Sequence, residues 1–338
     1  MKKSLIALAA LAASGFAMAQ SSVTVFGIVD AAVTVYDGAE TTTGLGNSGL
    51  SSSRLGFRGV EDLGNGLKAG FHIEGAISND DGTGAGGGAS GPGFEFKRRS
   101  TISLMGSFGE LRLGRNLTAA YNATSRYDNF GTVGIGGSSV WNDIGGVRRD
   151  NMVSFQSGDF GGFKFGVDYA LGETTGAAPN GDYWGAAATY DNGPLSVGVS
   201  YFDQTASVVN GADRDGWSAG ASYNFGVVKL AGAYQHSELG NTDFDNYLVA
   251  LSAPVGAAGE AKFSYNRYDN DSSKANHYSL GYVHTLSKRT AVYGTYSYLK
   301  NKNGAAYTLG GGGLSNAAKA VDGSGKIQGF QVGVRHSF

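Results

Sequence analysis

In "FKFGVDYAL", Phe163 to Leu171, every odd-numbered residue is large and apolar or aromatic, and the even-numbered ones are Lys, Gly, Asp and Ala. Successive side chains of a strand point to opposite faces, so the stretch predicts a β-strand with one apolar and one polar side. The pattern recurs in "LSVGVSY" (195–201), "GWSAGASYNF" (216–225) and "KFSYN" (262–266), where the polar side is Ser, Gly, Lys and Asn.

Gly, Pro and Asn punctuation marks tight turns near residues 65, 108, 160, 193, 226, 257 and 288. In the second half they recur about every thirty residues, the length of two strands plus a loop. Counting strands around these turns gives sixteen, the first near Val23–Tyr36 and the last near Lys326–Phe338, with eight long loops on the side opposite the turns. An even strand number with short turns on one side and long loops on the other is the pattern of an outer-membrane β-barrel. A soluble two-sheet sandwich also alternates. Here the apolar side is Val, Leu, Ala and aromatic, and Tyr169, Tyr190, Tyr201 and Tyr265 fall near strand ends, where interfacial aromatic girdles belong. The expected fold is therefore all-β: a 16-stranded antiparallel transmembrane barrel.

"MKKSLIALAALAASGFAMAQ" has Lys2 and Lys3, an apolar run from Leu5 to Ala13 and a small-x-small site at Ala17 and Ala19. It predicts a cleaved signal peptide over 1–19 and a single barrel domain over 20–338. The chain has no cysteine, so disulfide scaffolds and thiolate chemistry are excluded. Its formal charge of −2 argues against a nucleic-acid partner. Five scattered histidines argue against an enzyme, and the G-x-S-x-G match at Gly216–Gly220 falls inside an alternating strand stretch and not at a strand-to-helix nucleophile turn. "GTGAGG" from Gly82 lacks a strand-turn-helix context, and "DFD" (243–245) and "DND" (269–271) read as solvated loop tips, so no cofactor and no metal are expected.

A barrel of this size leaves an aqueous channel, and its function depends on what narrows it. The segment Leu117–Val147 lacks sustained alternation; folded into the lumen, it would offer Asp128 and Asp143 to one side of a constriction. Arg54 and Arg58, four apart in "SRLGFR", share one strand face and could stand opposite. Two further arginine pairs are Arg98/Arg99 in "FEFKRRSTISLMG" and Arg148/Arg149, where the long loop returns to the wall, and alternation lets one member of each face inward. An arginine on the lipid side costs ~2–4 kcal/mol at the bilayer midplane, which favours the lumen or the rim. Basic rings favour anions, so an anion preference is expected. The closing "GFQVGVRHSF" (329–338) would pair with "VTVFGIVDAAV" (23–33), with Phe330, Val332 and Val334 toward hydrocarbon and Gln331 and Arg335 toward the lumen.

The segments "SRLGFRGVEDLGNGLKAGFHIEG", "RRSTISLMGSFGELRLGRN", "RDNMVSFQSGDFGGFKFGVDYA", "HYSLGYVHTLSKRTAVYGTYSYLKN" and "FQVGVRHSF" resemble the general porins of Gram-negative bacteria, particularly the β-proteobacterial ones. That resemblance implies a homotrimer in the outer membrane, constricted by the third loop, passing ions and small hydrophilic solutes. It also implies contact with outer-membrane lipids and lipopolysaccharide. It matches Arg54, Arg98 (with Arg99 as rival) and Arg148 to constriction arginines and makes Asp128 the best acidic candidate. It gives the terminal Phe338 a part in barrel closure and in recognition by the barrel assembly machinery. A substrate-specific anion or sugar channel, or a structural or adhesive barrel, are the alternative readings.

Overall fold

The computed structural model describes residues 22–84, 93–138, 146–173, 181–206, 211–271, 273–310 and 325–338. The expected signal peptide and Asp143 lie outside them. Among the described residues, eighteen antiparallel segments form one sheet that closes on itself. In chain order they are β1 (Ser22–Asp37), β2 (Thr41–Asn47), β3 (Arg54–Gly64), β4 (Leu67–Ala76), β5 (Arg99–Gly106) and β6 (Gly109–Leu117). The helix α1 (Ala119–Ser125) precedes β7 (Arg148–Arg149), β8 (Met152–Ser157), β9 (Phe163–Ala170), β10 (Tyr183–Asn192), β11 (Leu195–Gln204) and β12 (Arg214–Asn224). The wall ends with β13 (Lys229–Leu239), β14 (Thr242–Val255), β15 (Gly259–Asn270), β16 (Ser273–Thr285), β17 (Thr290–Lys302) and β18 (Lys326–Ser337). Segments β2 and β3 lie end to end on one flank of β1, and β7 and β8 do so on β6. Eighteen segments thus fill sixteen wall positions.

The faces settle what the alternation means. Val167 is 46% exposed while its neighbour Asp168 is 3% exposed. Apolar residues inside and polar ones outside is the order water imposes, and this wall inverts it. Outward aromatics line up across neighbouring strands, with Trp184 and Tyr201, Trp217 and Tyr234, Tyr234 and Tyr247, and Tyr265 and Tyr278 at ring separations of 5.0–5.1 Å. Such a belt suits a membrane interface, where an aromatic body is buried and its polar edge stays wet.

Two expectations change. The connections β13–β14 and β15–β16 span only residues 240–241 and 271–272, so the loop side is not uniformly long. "DFD" is not a loop tip: Asp243–Asp245 belong to β14 and pair with Glu238–His236 of β13.

The seam runs between β1 and β18, with Val33 opposite Val332 and Ile28 opposite Ser337. Phe330, Val332 and Val334 are exposed outside and Gln331 is buried inside. The Phe338 N–H donates to the Gly27 carbonyl at 3.1 Å, and the Gly27 N–H donates to the Phe338 carbonyl at 3.2 Å. The Phe338 ring also covers Gly27, where it leaves no room for a β-carbon. Deleting Phe338 removes both bonds, each worth roughly 0.5–1.5 kcal/mol, and the ring cover. The yield of heat-modifiable folded barrel should fall; an unchanged yield would refute a role in closure.

Candidate functional site: a constriction inside the barrel

Between β6 and β7 the chain leaves the wall and enters the lumen. Its two ends are tied where the Thr118 N–H donates to the Val147 carbonyl at 3.2 Å. Thr118 then caps α1, its hydroxyl accepting from the Tyr121 N–H at 3.2 Å, and the Asp168 carboxylate accepts from the Ala119 N–H. These bonds meet N–H groups that a helix start leaves without partners. The helix lies against the inner faces of β10, β11 and β12. Thr124 and Ser218 hydroxyls meet at 2.6 Å, and the Tyr127 ring fills the space that a side chain at Gly220 would need. The Gly and Ser residues of these strands are therefore a docking bed for the loop as well as a lumen lining.

Beyond α1 the loop crosses to the far wall. Asn129 Nδ2 donates to the carbonyls of Leu251 (2.7 Å) and Phe263 (3.1 Å), and Phe130 packs where Gly281 has no side chain. His277 Nε2 lies 3.1 Å from the Ile135 carbonyl. Asp128 is buried within this tip and accepts from the N–H groups of Phe130 (2.9 Å), Thr132 (3.0 Å) and Ser138 (2.7 Å). Burial pushes its carboxyl above the usual carboxylate range, and the three donors oppose that rise.

A second segment also turns inward. Ala31 of β1 pairs with Asn47 of β2, whereas Ile28 pairs with Arg54 of β3, and residues 48–53 leave the wall between these points. Leu50, Ser51 and Ser52 face a cavity of about 440 Å³. Tyr121, Gly131, Thr132 and Val133 of the long loop line another side, and Arg54, Arg98 and Arg148 line the wall.

Two of these arginines meet one carboxylate, Glu74, and the third is bonded to the backbone of its neighbour. Arg98 Nε lies 2.6 Å and Arg54 Nη1 3.8 Å from Glu74 Oε1, and Arg148 Nε donates to the Arg98 carbonyl at 2.7 Å. Farther along the lumen Glu110 pairs with Arg112 and lies 4.0 Å from Arg99. Two guanidinium groups against one carboxylate, with that of Arg148 in the same cavity, leave the cavity wall positive, in a place where low-dielectric walls concentrate the field.

A Gram-negative porin family model matches residues 5–304. The chain belongs to the Gram-negative porin family. It is 48% identical to outer membrane porin protein 32 of Delftia acidovorans across the whole of both chains. It is 33% identical to an outer membrane porin of Bordetella pertussis, over 89% of this chain and 95% of that one. The solved structure of an anion-selective porin from Comamonas acidovorans superimposes with a TM-score of 0.83 at 44% identity, covering 94% of this chain and all of the other. The protein is thus an outer-membrane porin, and the lumen described above is its channel.

Within this porin, Arg54, Arg98 and Arg148 line one cavity together with the long loop and segment 48–53. Arg58 does not line it; its guanidinium sits 5.1 Å from the Phe26 ring, opposite His72. Asp128 is not on the pore surface, because the loop tip uses both of its oxygens internally. Among the described residues no loop carboxylate lines the cavity. Alternation allowed one arginine of each pair inward, yet both members turn in. β5 begins only at Arg99, so Arg98 lies outside the regular pleat, its N–H bonded to the Glu74 carbonyl at 3.0 Å. Arg99 donates to the buried Thr101 at 3.0 Å. Between Arg149, paired with Asn116, and Val153, paired with Leu113, the chain carries three residues against two on β6, and this bulge reverses the parity. Arg149 accordingly reaches the ring of the buried Tyr183 at 4.9 Å. Glu74 escaped notice, although "LKAGFHIEGA" places Lys68, His72 and Glu74 on one face.

Proposed function

We propose that this porin is a general diffusion channel with a preference for anions, built as a homotrimer from a chain that loses residues 1–19 on export. The observation that carries the reading is that Arg54, Arg98 and Arg148 line one cavity, where among the described residues no carboxylate joins them in the lining and Glu74 pairs with Arg54 and Arg98 behind it. A permeating anion trades part of its hydration for these donors, whereas a cation meets their repulsion. The likeness to a porin described as anion-selective supports the same sign. Passage needs no bond chemistry, metal or cofactor, so the protein acts without enzymatic activity. The aromatic-belted outer surface faces outer-membrane lipids and lipopolysaccharide, and the strand ending at Phe338 is the element presented to the barrel assembly machinery.

Purified protein in a planar bilayer should give conductance steps in threes, with a reversal potential of anionic sign across a potassium chloride gradient. A cationic sign would overturn the selectivity. Isolated single steps would overturn the trimer, and a silent bilayer the channel.

A further inference from the structure

We propose that Asp30 is the positioning residue of the constriction: its carboxylate holds the inturned segment 48–53 in the lumen and, through Gly49, sets where the tip of the long loop comes to rest. The inference rests on the channel reading above. Asp30 lies at the point on β1 where the pairing partner changes from β3 to β2, and it is fully buried. The residues that leave the wall there carry N–H groups with no strand to receive them. Three of these converge on the Asp30 carboxylate, from Gly49 (3.3 Å), Leu50 (2.9 Å) and Ser51 (2.6 Å), and the Tyr293 hydroxyl adds a fourth donor at 2.6 Å. The Asp30 backbone completes the clamp: its N–H donates to Ser53 Oγ at 2.9 Å and its carbonyl accepts from the Ser48 N–H at 2.9 Å.

A buried carboxylate is costly unless several donors meet it, and here four do. Only an acceptor with two free oxygens matches this arrangement, since an amide would aim its own N–H at another donor.

The clamp reaches the long loop through bare backbone. A β-carbon on Gly49 would collide with the Tyr293 hydroxyl and the Gln331 amide, and one on Gly134 would collide with the Gly49 carbonyl. Gly134 also has φ of 62°, which favours glycine. Gln331 is itself fixed by its bond to Thr34 Oγ1 at 2.8 Å. With no side chain between them, any movement of segment 48–53 displaces the loop tip. Segment 48–53 and residues 131–133 of the tip form two sides of the same cavity, so Asp30 sets its width without touching a solute.

The test compares single-channel currents of the wild type with those of Asp30→Asn, Tyr293→Phe and Gly134→Ala, each checked for a folded barrel by heat-modifiable mobility. Asp30→Asn and Gly134→Ala are expected to change the unit conductance by about twofold, add open-channel noise and lower the anion-to-cation permeability ratio about twofold. Tyr293→Phe keeps the three N–H donors and should shift the same quantities less. A role confined to barrel stability would lower the folded yield and leave the currents of inserted channels at wild-type values. Wild-type currents from folded Asp30→Asn and Gly134→Ala channels therefore overturn the inference. If Asp30→Asn does not assemble, wild-type currents from Gly134→Ala and Tyr293→Phe overturn it. A wild type that gives no steps overturns the channel reading instead.

Discussion

Replacing Arg54, Arg98 and Arg148 together by glutamine should abolish the anion preference, bringing the permeability ratio close to one. All three guanidinium groups line the same cavity, and those of Arg54 and Arg98 pair with Glu74. A unit charge about 4 Å from a permeating ion is worth roughly 1 kcal/mol even at the dielectric constant of water, and more beside a protein wall. Losing three of them, after screening by salt, amounts to about an order of magnitude in relative permeability. The variant retains Glu74, which attracts cations, and retains the Arg99, Arg112 and Glu110 group deeper in the lumen, which is net positive. These residual fields oppose each other, which is why the ratio stops near one. Glu74→Gln provides the opposite sign: it removes the carboxylate and keeps the arginines, so anion preference should rise. Reversal potentials across a salt gradient read both effects. Equal ratios in the wild type and the triple variant would show that the selecting charges lie elsewhere.

Asp128→Ala should release the tip of the long loop, raise the unit conductance and weaken selectivity, while the barrel stays folded. Asp128 receives three backbone N–H groups from a ten-residue stretch, and none of these bonds is made to the wall. Hydrogen bonds to a charged acceptor contribute about 1.5–3 kcal/mol each, so the tip loses several kcal/mol of local order. The tip holds the loop across the lumen through Asn129, Phe130 and the Ile135 carbonyl, and those contacts depend on its shape. Asp128→Asn keeps one acceptor oxygen and should fall between the two. Single-channel recording together with heat-modifiable mobility checks this outcome; unchanged conductance from a folded Asp128→Ala barrel would sink the argument.

The two predictions concern residues of different legibility. Arg54 was readable because its neighbours alternate: Leu55 and Phe57 mark one face of β3 and leave the other to Arg54 and Arg58. Which member of Arg98/Arg99 and of Arg148/Arg149 faces the pore is indicated only by resemblance, since each pair lies at a break in the pleat where parity no longer holds. Asp128 falls within the long loop segment, and its burial inside the tip depends on N–H groups up to ten residues away. A carboxylate in such a loop reads equally well as a pore-facing acid.

By itself the sequence determined the wall. A period of two is a local property, so strand after strand declared its two faces, and the hairpin spacing set sixteen positions and one long lumen segment. Only the tertiary structure decided how the interior is filled. The inward Gly and Ser residues read as an empty lining, and some of them prove to be the bed on which α1 and Tyr127 lie. The departure of residues 48–53 from the wall, and their capture by Asp30, join partners as distant in the chain as Asp30 and Tyr293, 263 residues apart. No local period encodes such a meeting. It follows from closing the barrel, which brings β17 beside the closing seam and turns Asp30 and Tyr293 into the same lumen.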